Sequence, residues 1–466
     1  MNSVIRDLHR HLVSGKCTCR EIVQEKISLL SDNEYHTSNL LLEKSALAMA
    51  GQVDEKIRTG QSIGLLEGIP FGIKDIILLQ GSVASGSSGF LKNYTSPYTA
   101  TAIQKLMDAG AIPVVKENCD SFGHGSTGEN TVFGAVLNAH DKSRVAGGSS
   151  GGSAVNVAKG YTTFSIGADT GGTIPAGYNR IYGLKPTYGR VSRYGVMANG
   201  SSTDSVGPMA STLEDIRILI NAMSGKDDHD RNTCSSVPVP DHIFESQMIN
   251  EQVIVGYYKS FIENKDLDAT IKSAFLKMIE TLTVRGVRVI PLDFFDVDIL
   301  ASTYFVLAMA GTSSSLARLV GTVYGERSKN KNVWEGYMTT RSDNLTDETK
   351  RRITGGIQVL SRGYDEDVYP KAAIMRSRII QAINSDFEKV DVVLSPATFG
   401  LPPVVGHNQD NPLWTYLSEA FTAGFNLGGN PTLTAPLFTP TGIQITGNKN
   451  REDLILAFAH YLEEAV

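Results

Sequence analysis

Two glycine-rich stretches organise this chain: R-V-A-G-G-S-S-G-G-S-A-V-N-V-A-K-G (144–160) and F-S-I-G-A-D-T-G-G-T-I-P-A-G-Y (164–178). Each carries hydroxyl side chains between glycines, which let backbone N–H groups approach a ligand and permit a positive φ. Such loops suit an anion or a developing oxyanion. A phosphate-binding loop is disfavoured because the G-x-x-x-x-G-K-[ST] spacing is absent, with no lysine where that loop needs one. For any serine taken singly, a turn or helix cap is the alternative.

A lysine interrupts an apolar run upstream, Pro70 to Leu79, which is otherwise typical of a buried strand. A buried lysine loses the solvation of its charged form, so its pKa falls and a neutral amine becomes available as a base. Lys74 is therefore a candidate base. The alternative from the residues alone is a lysine paired with Asp75 at the end of the strand.

Composition narrows the class of protein. The 466 residues are 41% hydrophobic and 20% charged, which is ordinary for a globular protein with a large core, and no long uncharged apolar run predicts a membrane span. A net charge of −6 argues against this chain alone binding a polyanion. The 4 scattered cysteines form neither a disulfide framework nor a zinc-site spacing, which favours a reducing compartment. The N-terminus favours a mitochondrial targeting sequence, because residues 1–20 carry four basic side chains and one acidic side chain: Arg6, Arg10, Lys16 and Arg20, and Asp7.

Hydrophobic periodicity predicts alternating helices and strands. Helices are predicted over 1–60, 99–109, 154–158, 211–223, 269–284 and 369–387, with capping boxes at Thr18 and Ser211. Strands are predicted over 70–79, 111–115, 162–166, 252–258, 287–292 and 390–395. The alternation predicts parallel strands joined by right-handed crossovers, and 224–240 is predicted to be a surface loop or linker.

The motifs together resemble those of the amidase signature family: G-I-P-F-G-I-K-D-I (68–76), G-G-S-S-G-G-S (147–153), G-A-D-T-G-G-T-I (167–174) and G-L-K-P-T-Y-G-R-V-S-R-Y-G (183–195). The resemblance covers nearly the whole chain. It implies an α/β fold in which a large mixed β-sheet is covered by helices on both faces. It also implies one domain over 1–466, with helices at 1–60, catalytic motifs at 65–224, a divergent part at 225–345 and a pocket-completing part at 346–466.

The same resemblance implies the catalytic residues. The lysine of the upstream motif, Lys74, is the family's general base. Ser149 matches the serine that follows a cis peptide bond and relays the proton. The nucleophile lies 24 residues later in the family pattern, which is Thr173 here. The oxyanion hole is expected from the backbone N–H groups of Thr170, Gly171 and Gly172.

This sequence departs from the family pattern beside Thr173. The family has serine there and continues I-R-x-P-A, whereas this chain has Ile174, Pro175 and Ala176, two residues short. Arg180 stands where glycine is usual. A threonine hydroxyl can attack a carbonyl, but its β-methyl restricts χ1 and crowds the approach. The sequence therefore leaves open whether the site works.

A branch of the family that hydrolyses glutamine for tRNA-dependent amidotransferases is the most similar, through S-F-G-H-G-S-T-G-E-N (121–130), P-T-Y-G-R-V-S-R-Y-G (186–195) and E-T-K-R-R-I (348–353). Free glutamine presents an α-carboxylate and an α-ammonium, which require an arginine and an acid. The resemblance assigns these roles to Arg352 and to Glu419, where relatives usually carry aspartate. It adds Ser126 and Tyr304 to the pocket.

The implied reaction is glutamine hydrolysis through an acyl-enzyme, with ammonia passed to an activated glutamyl-tRNA on a partner. The expected partners are a tRNA-binding kinase-type B subunit, which holds most of the tRNA, and a small third subunit. No metal or organic cofactor is expected in this chain, although ATP and Mg²⁺ would serve the partner. The alternatives are a stand-alone amidase for small amides and a catalytically weakened scaffold subunit. The expected location is the mitochondrial matrix or, alternatively, a bacterial cytoplasm.

Overall fold

Eleven strands form one mixed sheet in a computed structural model that describes residues 3–169, 174–200, 202–244, 253–329, 332–361, 367–406, 416–417 and 419–464. In chain order they are β1 Ser38–Leu41, β2 Pro70–Lys74, β3 Ile112–Glu117, β4 Phe164–Asp169, β5 Tyr182–Lys185, β6 Ser205–Ala210, β7 Ile254–Tyr258, β8 Arg288–Leu292, β9 Val392–Pro396, β10 Thr432–Ala435 and β11 Ile443–Gly447. Their order across the sheet is β1-β3-β2-β4-β6-β5-β10-β11-β9-β7-β8.

The helices of the described residues are distributed along the whole chain. They are α1 Val4–Val13, α2 Cys19–Ser31, α3 Glu43–Arg58, α4 Thr101–Asp108, α5 Gly151–Ala158, α6 Ile174–Tyr178, α7 Leu213–Met223, α8 Lys259–Ile262, α9 Ala269–Val284, α10 Val297–Leu316, α11 Val333–Asn344, α12 Asp347–Leu360, α13 Val368–Asp386, α14 Ala420–Gly428 and α15 Glu452–Glu463. Strands β2, β3, β9, β10 and β11 are buried along their whole length, so both faces of the sheet are covered. The expected fold class is confirmed.

The predicted parallel pairing is right for two three-stranded blocks and wrong for the centre of the sheet and for the edge strand β1, which is antiparallel to β3. β2 is parallel to β3 and β4, and β7 is parallel to β8 and β9. Between these blocks β4, β6, β5, β10, β11 and β9 are antiparallel at every step. Strands β5, β6, β10 and β11 were not predicted, because each is short and buried and therefore lacks a clear apolar and polar alternation.

Two predicted boundaries are wrong for local reasons. Within 1–60, where only helices are predicted, Ser38–Leu41 instead pairs with β3 as an edge strand, and the next helix begins at Glu43. The cap of α7 is Thr212 rather than Ser211, since the Thr212 hydroxyl accepts the Asp215 N–H at 3.1 Å. The capping box at Thr18 and the bounds of α9 are confirmed.

Among the described helices, α10 is long and apolar enough to cross a membrane by length and composition alone. Half of it is buried inside the protein, where it packs against α12, α13 and α14. These contacts are those of a core helix. They bring α10 and α12 together at the position where the substrate pocket is expected.

Candidate active site

Lys74 ends β2, beside the ends of the parallel strands β3 and β4. Its Nζ lies 2.6 Å from Ser149 Oγ and 2.8 Å from the carbonyl oxygen of Ala168. The side chain is fully buried, and this burial lowers the pKa of Lys74. Asp75 lies instead 3.6 Å from Lys116 Nζ. Lys74 therefore contacts the predicted relay serine rather than Asp75.

Ser149 follows a cis peptide bond from Gly148, which is the geometry that the family resemblance implies. It lies just before α5, whose N-cap residue is Ser150. Ser150 makes no side-chain cap bond, and its hydroxyl donates to Ala168 O at 3.1 Å. The Ala168 carbonyl therefore accepts from both Lys74 and Ser150 and fixes their side chains beside each other.

Asp120, which was not predicted as a site residue, forms hydrogen bonds that fix the loop containing Ser149, here called the serine loop. Its carboxylate accepts the N–H groups of Gly128 at 3.0 Å and Asn130 at 2.9 Å, and its own N–H donates to Ser149 O at 3.1 Å. Burial raises the pKa of Asp120 to about 7, while these N–H bonds and the charges of Lys74 and Arg352 oppose the increase. Asp120 thus lies within electrostatic reach of both the candidate base and the candidate pocket arginine.

Gly148→Ala should lower the free energy of unfolding by about 1–3 kcal/mol and disrupt the serine loop. An added Cβ would lie 1.8 Å from Asp120 Oδ2 and 2.9 Å from the backbone nitrogen of Gly128, where little can shift. Gly151→Ala in the same motif is the control, because its nearest contacts are side-chain atoms at 3.4 Å. Denaturant unfolding and activity of both variants test this, and a fully stable, active Gly148→Ala protein would contradict it.

The expected nucleophile Thr173 and the expected oxyanion residues Thr170, Gly171 and Gly172 lie outside the described residues. The chain on either side is described, with β4 ending at Asp169 and α6 beginning at Ile174. A cavity of about 20 Å³, the size of one water molecule, is lined by Ser149, Ala168, Asp169 and Pro175 among others. The roles assigned to 170–173 stay predictions.

The predicted pocket residues converge around Arg352, which is buried on α12. Arg352 Nε donates to Glu348 Oε1 at 2.8 Å, and Nη2 lies 3.6 Å from Glu419 Oε1. Ser126 hydrogen-bonds Glu419, and Tyr304 lies close enough to Arg352 to affect the pKa of the guanidinium. All four predicted residues are at most 5% exposed. The structure therefore brings Ser126, Tyr304, Arg352 and Glu419 into one buried group.

Two charged atoms of this group have unused hydrogen-bonding capacity. Arg352 Nη2 and Glu419 Oε1 are both buried and form no hydrogen bond among the described residues. Burial raises the pKa of Glu419 to about 7, more than Arg352 lowers it. For Arg352, burial acts to lower the pKa, but Glu419 and Glu348 raise it overall, so the guanidinium stays charged. Arg352 and Glu419 thus form a buried ion pair in which one donor atom and one acceptor atom make no hydrogen bond among the described residues.

Glu348 connects this group to solvent and was not predicted as a site residue. It also accepts from Tyr416 Oη at 3.3 Å, and it lines an open cavity of about 560 Å³ together with Glu129, Asn130, Thr346, Asp347 and Arg351. The sequence did contain a signal for Glu348. It precedes Arg352 by four residues, so both side chains fall on one helix face and can form an ion pair. Glu348 therefore contacts both this cavity and the buried Arg352.

Comparisons with known proteins identify the family of this chain. Residues 21–456 match the amidase family. The chain is 38% identical to the A subunit of the glutamyl-tRNA(Gln) amidotransferase of Trichodesmium erythraeum, covering 99% of this chain and 97% of the relative, and 35% identical to that of Chlorobaculum tepidum, covering 98% and 97%. The crystal structure of the same-named protein from Thermotoga maritima superposes with a TM-score of 0.72 at 31% identity, covering 86% of this chain and 83% of that one. In sequence and in fold, this chain belongs to the amidase family.

Proposed function

We propose that this chain is the glutamine-hydrolysing subunit of an amidotransferase that converts Glu-tRNA(Gln) to Gln-tRNA(Gln). The observation that carries the proposal is the buried ion pair of Arg352 and Glu419. Arg352 Nη2 and Glu419 Oε1 lie 3.6 Å apart, and neither atom forms a hydrogen bond among the described residues. A guanidinium donor matches the α-carboxylate of glutamine, and a carboxylate acceptor matches its α-ammonium. The names of the relatives, at 35–38% identity over nearly the whole chain, support the same substrate.

The proposed reaction proceeds through an acyl-enzyme. The Thr173 hydroxyl attacks the side-chain amide carbon of glutamine, while its proton passes to Ser149 and the Ser149 proton passes to Lys74 Nζ. The N–H groups of 170–172 stabilise the oxyanion. When the C–N bond breaks, the relay returns the proton and ammonia leaves. Water then attacks the γ-glutamyl ester by the same route and releases glutamate.

The two alternatives fit the buried pocket less well. The substrate of a stand-alone amidase for simple amides carries no α-carboxylate or α-ammonium, so such an enzyme would not need the buried Arg352–Glu419 pair. A scaffold subunit would not need the contact from the buried Lys74 Nζ to Ser149 Oγ at 2.6 Å. Both are outcomes of the assay below.

The partners and cofactors are part of the same proposal. A B subunit holds the tRNA and uses ATP and Mg²⁺ to activate it, and a small third subunit completes the complex. This chain itself uses no metal or organic cofactor. With a net charge of −6, it offers little attraction for the phosphates of tRNA.

We place the complex in a bacterial cytoplasm. The relatives named above are bacterial, which gives the mitochondrial prediction no support. The basic N-terminal residues belong to the fold: Arg6 pairs with Glu214 at 2.7 Å, and α1 buries Ile5 and Leu12.

The purified chain should hydrolyse glutamine poorly, and its two partner subunits should activate it by roughly 5- to 150-fold, the usual range for coupling between sites. Ammonia release with and without partners is the measurement. Hydrolysis of simple amides at equal rates in both conditions would favour the stand-alone amidase. An assembled complex whose glutamine-dependent activity is unchanged when this chain carries Lys74→Met would favour the scaffold.

A further inference from the structure

We propose that one face of this protein, here called the α11 surface, docks an acidic amphipathic segment of a partner protein. The α11 surface consists of the apolar residues Val323, Trp334 and Met338 with the basic residues Arg318, Arg327 and Lys329. It rests on the proposed function only in that the partner is a subunit of the same complex. It shares no residue with the active site.

The apolar part of the surface is unusually exposed for a folded protein. Trp334 is 75% exposed, Met338 72% and Val323 86%. Trp334 and Met338 are four residues apart on α11, so they lie on one face of the helix. Tryptophan and methionine are enriched in protein interfaces, and adjacent exposed apolar side chains mark interaction sites.

These residues form one surface because α11 is fixed to the chain segment before it. Arg341 Nη1 donates to the carbonyl oxygens of Leu316 and Leu319, both at 2.8 Å. The Ser328 N–H donates to Thr340 Oγ1 at 2.9 Å. The segment carrying Val323 and the basic residues is therefore held against α11.

An apolar socket adjoins the α11 surface at Arg318. It has a volume of about 270 Å³, large enough for one aromatic or branched side chain. Arg318 lies at its lining, with Tyr94, Tyr98, Phe122, Met197, Leu316 and Tyr324. A socket of this kind receives a single anchoring side chain of a partner and contributes a large share of the binding energy.

The charges of the surface determine the chemistry of the occupant. Arg318, Arg327 and Lys329 are exposed and form no ion pair among the described residues, whereas Glu326 already faces Lys92 at 3.7 Å. Free cations around an apolar centre fit an amphipathic segment with an apolar anchor and flanking acidic residues. A second copy of this chain would oppose like charges across a two-fold axis. RNA would leave the apolar side chains without a matching surface.

Tryptophan fluorescence gives a direct test, because the chain has 2 tryptophans, Trp334 and Trp414. In a Trp414→Phe chain, Trp334 is the only reporter, and the partner subunits are prepared with their tryptophans replaced by phenylalanine. Addition of the B and small subunits should shift the Trp334 emission to shorter wavelength and protect it from acrylamide. An active complex in which Trp334 stays fully quenchable would overturn the surface while leaving the proposed function intact.

Affinity measurements give an independent readout. Met338→Glu and Arg327→Glu should each weaken assembly by roughly tenfold or more, with the glutamine hydrolysis of the isolated chain unchanged. Val284→Glu is the control, since Val284 is equally exposed at 83% on the far end of α9 and should have no effect. Protection of Trp334 by tRNA alone, or by raising the concentration of this chain alone, would overturn the assignment to a partner protein. Failure of any complex to form would count against both proposals.

Discussion

Lys74→Met should reduce glutamine hydrolysis by roughly 10²- to 10⁴-fold or more, while the protein stays folded. The amine is the group that receives the proton in the proposed relay, and methionine keeps most of its volume without any basic nitrogen. The lost hydrogen bonds to Ser149 and Ala168 lower stability, but removal of a buried amine that resists protonation offsets part of this loss. Steady-state ammonia release measures the effect.

Lys116→Met is the matched comparison, since Lys116 is equally buried on the neighbouring strand but faces Asp75. Its removal leaves a buried carboxylate unpaired, which should cost about 3–5 kcal/mol of stability. Lys116→Met should therefore lower the thermal unfolding temperature more than Lys74→Met does. Lys74→Met should have the larger effect on glutamine hydrolysis. Wild-type turnover by Lys74→Met would refute the role of the amine.

The pH dependence follows from the lowered pKa of Lys74. The unfolded chain keeps this lysine protonated up to its ordinary pKa of 10.5, while the folded protein releases the proton at lower pH. Between these two values the unfolded state binds more protons, so the Lys74 contribution to stability rises with pH. Glutamine hydrolysis should likewise fall as the pH drops through the lowered pKa, because the protonated amine cannot act as a base.

Arg352→Gln should raise the glutamine KM by roughly 30- to several thousand-fold, equivalent to about 2–5 kcal/mol for a truncated buried arginine–carboxylate contact. Glu348 and Glu419 would also lose the guanidinium that they share. Steady-state kinetics with glutamine and with an amide lacking α-substituents separates a loss of α-carboxylate binding from a general disturbance of the pocket. Only the glutamine KM should change if the arginine binds the α-carboxylate.

Arg351→Gln is the control, because Arg351 is the adjacent residue and pairs with the same Glu348, but its side chain is 46% exposed. This variant should keep the glutamine KM within a few-fold of wild type. An unchanged KM in Arg352→Gln, or equal effects in both variants, would contradict an amino-acid pocket at Arg352.

Lys74 and Ser149 could be singled out in the sequence because each has unusual neighbours, and their roles as base and relay stay predictions. Lys74 stood out as a lysine within a buried apolar strand, and Ser149 stood out within a glycine-rich motif. The structure places them 2.6 Å apart, although they are 75 residues apart in sequence. The four pocket residues came from resemblance alone, since each taken singly would be an ordinary polar residue on a helix or loop.

The supporting residues could not be predicted in the same way. Asp120 acts through backbone N–H groups of residues 128 and 130, a contact set by the path of a loop. The antiparallel centre of the sheet depends on pairing between segments as distant as β5 and β10, which local periodicity does not encode. Long-range pairing and loop geometry therefore account for most of what the sequence left out.

Adduct mapping tests the central claim most directly. The wild-type complex is treated with a glutamine analogue that carries an electrophilic carbon in place of the side-chain amide, digested, and examined by tandem mass spectrometry. The proposed mechanism predicts one modification, on Thr173, which glutamine suppresses and which Lys74→Met abolishes. An adduct on Ser150 or Ser153, or glutamine turnover with no adduct on Thr173, would contradict it.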